Sequence, residues 1–319
     1  MADHADGDIF IYRGGQAPQH VTHVLIDKSI DEIEEDAFYH CENLVQVETH
    51  DGIRKIGKYA FYRCKSLRRI DLKSAVEIEK YAFFYCENLE SGEFVDRLET
   101  LGNSTFSLCS SIKHLKLPSI TAIGVCTFRK CERLTDIELS EQLETIGASA
   151  FNGCERLQRI ASPLKRDLFE LSDTFRKYNQ FDDCEQLTTI DLVGGVDKTV
   201  ASLHMESWRT EMIAEINRIN QVLPTTPANE KTEEIRQWME IVLDKMDHYK
   251  AQHCSYVWEG TALLELALWK AKLGEQEEYA EEGQRKKAKV DAECSRKDKR
   301  IICGADMVIK NVLPFLQLE

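Results

Sequence analysis

The sequence predicts an α+β chain: a repeat solenoid with a parallel β-sheet on its concave face, followed by an all-α C-terminal helical domain. Three observations carry this. Cysteines fall at 41, 64, 86, 109, 131, 154 and 184, at intervals of 23, 22, 23, 22, 23 and 30. Each has a phenylalanine three residues before it (Phe38, Phe61, Phe83, Phe106, Phe128, Phe151, Phe181) and Leu or Ile three residues after it (Leu44, Leu67, Leu89, Ile112, Leu134, Leu157, Leu187). Beyond residue 199 this period disappears and a helical one replaces it.

A period of 20–29 residues points to a leucine-rich repeat solenoid, in which no coil buries its apolar side alone and stacking supplies the core. In "CERLTDIEL" (131–139), Leu134, Ile137 and Leu139 point inward, and Asp136 and Glu138 alternate outward, as the two-residue period of a strand requires. The "AF" pair puts a small residue and a ring inside each coil. "IG" or "LG" recurs at 56–57, 101–102, 123–124 and 146–147, and the glycine suits a tight turn. The recurring cysteine, Cys64 for example, reads as a small buried hydrophobe with a weak S–H donor.

The copies depart from the pattern at particular places. Glu34 and Glu79 replace the glycine, and Gly92 replaces the inward Ile of one rung, which should be weak. The last interval carries seven extra residues; Phe181 takes the ring position over Phe175 because Cys184 keeps its offset, and a loop bulges near 172–180. "VTHVLI" (21–26) supplies one more strand and "DIFIYRGG" (8–15) a capping strand and turn. The expected layout is an N-terminal cap over 1–18, then a solenoid over 19–199 with about 7–8 repeats of 22–23 residues, giving eight ladder strands plus the cap. The helical domain covers 200–319.

In that second half, Met212, Ile216, Ile219 and Leu223 form a helical stripe that Pro224 stops. Thr226 and Pro227 read as N-cap and first turn of the next helix, with Ile235, Trp238, Met239, Val242, Met246 and Tyr249 on its apolar face. A helix over about 256–273, apolar over most of its girth, should sit centrally and end at Gly274. A charged helix over 276–300 and a short apolar one over 305–316 complete an α-bundle packed on the last coil as a C-terminal cap.

Net charge is −14, which argues against nucleic acid as a partner. No segment reaches the ~20 apolar residues of a bilayer crossing, so no membrane partner is expected. The acidic start "MADHADGDIF" lacks an apolar h-region and implies a cytosolic or nuclear location. In a reducing compartment the eleven cysteines read as thiols rather than disulfides.

The phrase "IGxxAFxxCxxLxxIxL", as in 123–139, resembles the BspA-like (Treponema-type) class of leucine-rich repeats over residues 19–195. "VTHVLIDKSIDEI", "DLVGGVDKTVASLHMESW", "EINRINQVLP" and "LLELALWKAKL" resemble a group of uncharacterised leucine-rich repeat proteins of unicellular algae, diatoms especially. The resemblance implies a fold and an interaction role, and no reaction.

A solenoid works through its concave sheet. One outward column reads His23, Gln46, Arg69, Ser91, His114, Asp136, Arg159 and Thr189; the next reads Leu25, Glu48, Asp71, Glu93, Lys116, Glu138, Ala161 and Asp191. The second column is acidic at five of its eight positions, so a basic peptide would relieve repulsion between rungs, against the plainer reading of a solvated face. His253, Cys254, Cys294 and Cys303 could hold a metal, but no CxxC or HxxxH spacing supports it, and no cofactor is expected. His40–Cys41 and His253–Cys254 are adjacent only in sequence, which does not make a nucleophile and base. "GGVDKT" (194–199) lacks phosphate-loop spacing. The run from Arg285 to Arg300, net +5, reads as a solvated helix face before a localisation signal. The chain is therefore expected to be a non-enzymatic interaction module or scaffold that binds a protein or peptide. An enzyme or metal protein with its site in the helical domain is the alternative.

Overall fold

The computed structural model describes residues 9–90, 97–169, 179–194 and 206–286. The weak rung at Gly92, most of the loop at 172–180, the stretch 195–199 and the helix expected at 305–316 lie outside the described residues.

The coils stack as the period requires. One parallel ladder joins Ile9–Tyr12, His23–Ile26, Gln46–Glu48 and Arg69–Ile70. A second joins His114–Lys116, Asp136–Glu138, Arg159–Ser162 and Thr189–Leu192. Equivalent residues pair from coil to coil without slippage, His23 with Gln46 and Gln46 with Arg69. The opposite side carries a ladder unforeseen in the sequence. Six two-residue strands, from Glu32–Ile33 to Thr145–Ile146, pair in parallel just before each glycine position.

Between the two ladders the rings form a column. Phe38, Phe61, Phe83, Phe106, Phe128, Phe151 and Phe181 stack face to face, with centroids 5.0 to 5.8 Å apart. Phe181 stacks on Phe151 at 5.5 Å and thus fills the ring position of the last coil. Each Phe amide donates to the next coil, for example Phe61 N–H to the Ala82 carbonyl at 2.7 Å. The residues two before and two after the ring sit in the left-handed region, at φ of 55° to 66° for the non-glycine residues. Such φ values cost of order 1 kcal/mol each. They turn the amides of Tyr59 and Arg63 along the solenoid axis onto the Lys80 and Phe84 carbonyls, so the third side of the coil is hydrogen-bonded too.

The cysteines complete this arrangement. Cys64, Cys86, Cys109, Cys154 and Cys184 each donate S–H to the carbonyl of the ring residue one coil back, at 3.1 Å. The nine described cysteines are all free thiols.

The repeated glycine answers to close approach rather than to a turn. Gly57, Gly102, Gly124 and Gly147 do not have positive φ, yet a Cβ on Gly147 would stand 2.6 Å from Gly124 C and Val125 N. Where glutamate replaces glycine, its carboxylate accepts an amide of the preceding coil: Glu34 from Gly15 at 3.1 Å, Glu79 from Lys58 at 2.9 Å.

Both ends of the stack are closed by side chains. Tyr12 of the first strand lies 4.9 Å from Phe38 and ends the ring column. Its hydroxyl has no hydrogen-bond partner, and burial pushes its pKa up to about 12. At the other end, helix α1 (Glu206–Val222) brings Asn220 to the last strand, where its amide accepts from Ile190 N–H and donates to Ile190 C=O. Thr232, in the first turn of helix α2 (Lys231–Lys286), accepts the Phe181 amide at 3.0 Å, in place of a further coil. Lys231 is fully buried and donates to the carbonyls of Cys184, Glu185 and Leu187 at 2.8 to 3.0 Å. Three donors meet three acceptors, although burial alone pulls the ammonium's pKa down.

The helical half corrects three expectations. Thr226 does not cap the second helix; its hydroxyl donates to Val222 C=O at the end of α1, and Pro227 leads a short 3₁₀ turn, Ala228–Glu230. Gly274 does not end a helix, because α2 runs unbroken from Lys231 to Lys286. One glycine costs only about 1 kcal/mol among good helix formers, too little to stop a helix without a left-handed cap. The apolar stretch over 256–273 is not central: Trp258, Leu263, Leu266 and Trp269 are exposed. The chain divides into two units, residues up to Lys245 and residues from Met246 on, so the division falls within α2 and not at 199/200. The apolar positions Met212, Ile219 and Leu223 of α1, and Ile235, Trp238, Met239 and Val242 of α2, are buried as their spacing predicts.

Two substitutions of one kind should act in opposite directions. Gly147→Ala should lower stability by about 1–3 kcal/mol by forcing two coils apart. Gly260→Ala, with no atom within 4 Å of the added carbon, should raise the helix's stability by about 1 kcal/mol. Urea titration followed by circular dichroism measures both. Lys231→Met should cost on the order of 3 kcal/mol, because it strands buried carbonyls, and should appear as a lower denaturation midpoint.

Candidate binding face

The two predicted columns stand on the concave sheet. In register, Ile9, His23, Gln46 and Arg69 form one row, and Ile11, Leu25 and Glu48 the next. Asp71 follows one residue beyond its strand and is exposed. Farther along, His114, Asp136, Arg159 and Thr189 align, as do Lys116, Glu138, Ala161 and Asp191. Ser91 and Glu93 lie outside the described residues.

The halves of this face differ in charge balance. In the C-terminal half, Arg159 reaches Asp136 at 3.1 Å and Asp191 at 2.6 Å, and Lys116 reaches Glu138 at 3.4 Å. Ala161 is buried at 2% exposure, so it offers no side chain to a partner. Its methyl is shorter than its in-register neighbours Glu138 and Asp191 and sits below their charged ends. In the N-terminal half, Glu48 accepts only a neutral donor that any item of the fold supplies close by, the Gln46 amide at 3.2 Å, and Asp71 meets Lys73 at a loose 3.9 Å. Beside them Ile9, Ile11 and Leu25 are exposed. These two isoleucines are the residues that the sequence columns missed; period-2 alternation in "IFIY" marks them.

A second surface was also missed. Tyr39, Tyr62 and Phe84 stack at 5.1 Å along the solenoid, one residue after each ring of the core column, and Tyr59 stacks on Tyr81 at 5.2 Å. Lys58 lies 4.7 Å over Tyr59 and Arg63 lies 5.5 Å over Tyr85. Gln16, Glu35, Asp36 and the first of these rings line an open cleft of about 580 Å³. The sequence signal is the aromatic following "AF" in three consecutive coils only.

The thiols are unsuited to nucleophilic work. Burial pushes Cys41 up to about 11, and Cys131 and Cys184 up to about 12. His40 and Cys41 therefore form no reactive pair. His253 and Cys254 are half-buried neighbours on α2, while Cys294 and Cys303 lie outside the described residues. No described helix is long and apolar enough to cross a membrane.

The repeat geometry agrees with the family comparison: the family of the BspA type leucine rich repeat region matches in six copies, over residues 17–131, 72–188 and 111–214. The chain belongs to that family. A BspA-type solenoid thus occupies most of it, in a fold typical of protein-interaction modules. Among solved structures, the leucine-rich repeat protein of T. pallidum is 28% identical over 62% of this chain and 88% of its own, with a TM-score of 0.48. A leucine rich cell surface protein from Faecalibacterium prausnitzii is 28% identical over 54% and 55%, with a TM-score of 0.45. A leucine-rich repeat protein from Bacteroides ovatus is 23% identical over 54% and 49%, with a TM-score of 0.44. No curated protein matches the chain.

The buried thiols set an alkaline limit. Unfolded thiols ionise near 9.0, whereas the folded coils hold Cys131 and Cys184 protonated to about 12. Stability from this source is complete below pH 9.0 and falls as pH rises from there toward about 12. The expected slope is about 1.4 kcal/mol per pH unit for each ionising thiol. Denaturant titrations at increasing pH should show that slope, lowered by one proton's worth in Cys86→Ala.

Proposed function

We propose that this BspA-type repeat chain is a non-enzymatic interaction module whose concave face holds a protein or peptide partner. The partner presents basic and apolar side chains to the first rungs. One observation carries this reading: exposed Ile9, Ile11 and Leu25 stand in register beside Glu48, with Asp71 on the following coil. Contiguous exposed aliphatic groups mark an interaction site on a soluble surface. The neighbouring carboxylates favour a cation and speed its encounter. The C-terminal rungs neutralise their own charge through Arg159 and Lys116, and so contribute less to choosing a partner. A wall fixed by ladder hydrogen bonds loses little entropy on binding.

Selection of displayed peptides on the full chain tests the reading. Lys- or Arg-bearing peptides with Leu or Ile should be enriched. Glu48→Lys combined with Asp71→Lys should weaken them about tenfold or more and flatten the salt dependence. Equal binding by the reversed face would refute it.

A further inference from the structure

The stretch of α2 from Trp258 to Trp269 presents a large apolar surface to water: Trp258 is 77% exposed, Leu263 68%, Leu266 66% and Trp269 66%. A helix apolar around its girth belongs inside a bundle. We propose that residues 305–316 of the same chain, "ADMVIKNVLPFL", cover this stretch by folding back antiparallel beyond the end of α2 at Lys286.

Two separate features select this occupant. The first is reach. Lys286 and Trp269 are about 26 Å apart along the helix at ~1.5 Å per residue. Residues 287–304 cover about 27 Å even if helical and far more if extended. The second is charge. A reversal centred on residue 287 sets positions 305–316 opposite 258–269, and the same register sets Glu275, Glu277 and Glu278 opposite Lys299, Lys297 and Arg296. Apolar meets apolar and acid meets base under one alignment, and no adjustment separates the two. A second copy does less well. Parallel pairing of two α2 helices sets the glutamates of 275–282 against themselves, which repels. Antiparallel pairing centred on the apolar stretch leaves 296–300 unmatched.

Tryptophan fluorescence of the full chain tests this. Trp208 and Trp238 are buried, at 2% and 0% exposure, so acrylamide quenching reports on Trp258 and Trp269. The monomer, verified by sedimentation, should resist acrylamide. Val308→Asp with Leu313→Asp should raise quenching several-fold and shift emission to the red. Lys297→Glu with Lys299→Glu should do so in part, and added Glu275→Lys with Glu277→Lys should restore protection. A monomer quenched as freely as the double aspartate variant overturns the proposal. So does protection that appears only as dimers form, which would give the stretch to a second copy. Failure of the charge-swapped chain to recover protection removes the proposed register.

Discussion

Everything in the solenoid follows from one distance: each coil must lie a single hydrogen bond from the next on all its sides. Ladders on two sides impose that spacing, and the left-handed residues around each ring impose it on the third. Aromatic rings stack at 5.0 to 5.8 Å because the backbone carries them at that separation. Glycine recurs because a Cβ there would enter the neighbouring backbone. Cysteine recurs because its S–H reaches a ring-residue carbonyl that an alanine could not satisfy, in a site too small for a longer donor. A strained φ of order 1 kcal/mol per residue is offset because each such amide finds a carbonyl along the axis.

A stack held this way has a problem only at its ends, where the next coil is missing. The structure meets it with single side chains. Thr232, Asn220 and Lys231 supply to the last coil the acceptors and donors that a further coil would have given. Tyr12 serves the ring column at the other end and leaves its own hydroxyl unpaired. The start of α2 is therefore structural, an inference that Lys231 alone makes. A lysine in the first helical turn opposes the helix dipole, and its burial is tolerated because the three carbonyls beneath it are otherwise unsatisfied.

The period made the ring column, the concave strands and the thiol packing legible, since each rests on residues that repeat. The return ladder was hidden because its strands are two residues long, shorter than any alternation can reveal. The glycine was read as a turn because sequence shows the missing Cβ and not what stands beside it. Helix ends in the second half misled for a related reason. Gly274 and Thr226 carry ordinary stop and start chemistry, yet the long run of helix formers overrode one and the end of α1 claimed the other's hydroxyl. At the binding face, the outward columns were readable by alternation. The balance of charge was not, because Arg159 reaches both Asp136 and Asp191 only once the coils are stacked.

That balance bears on which surface does the work. The row of Tyr39, Tyr62 and Phe84 is the more conspicuous feature, but its rings spend their faces on one another at interplanar angles of 9° and 7°. Cations already lie over Tyr59 and Tyr85. A ring whose face is stacked offers a partner mainly its edge, so this row adds cohesion to the first coils. Ile9, Ile11 and Leu25 have no such neighbours to satisfy them from within their own rows, where the strand geometry turns them outward and leaves them exposed. A surface that keeps branched aliphatic groups in water beside carboxylates gains most when another molecule covers both, and on this chain the first rungs of the concave sheet are where that gain is largest.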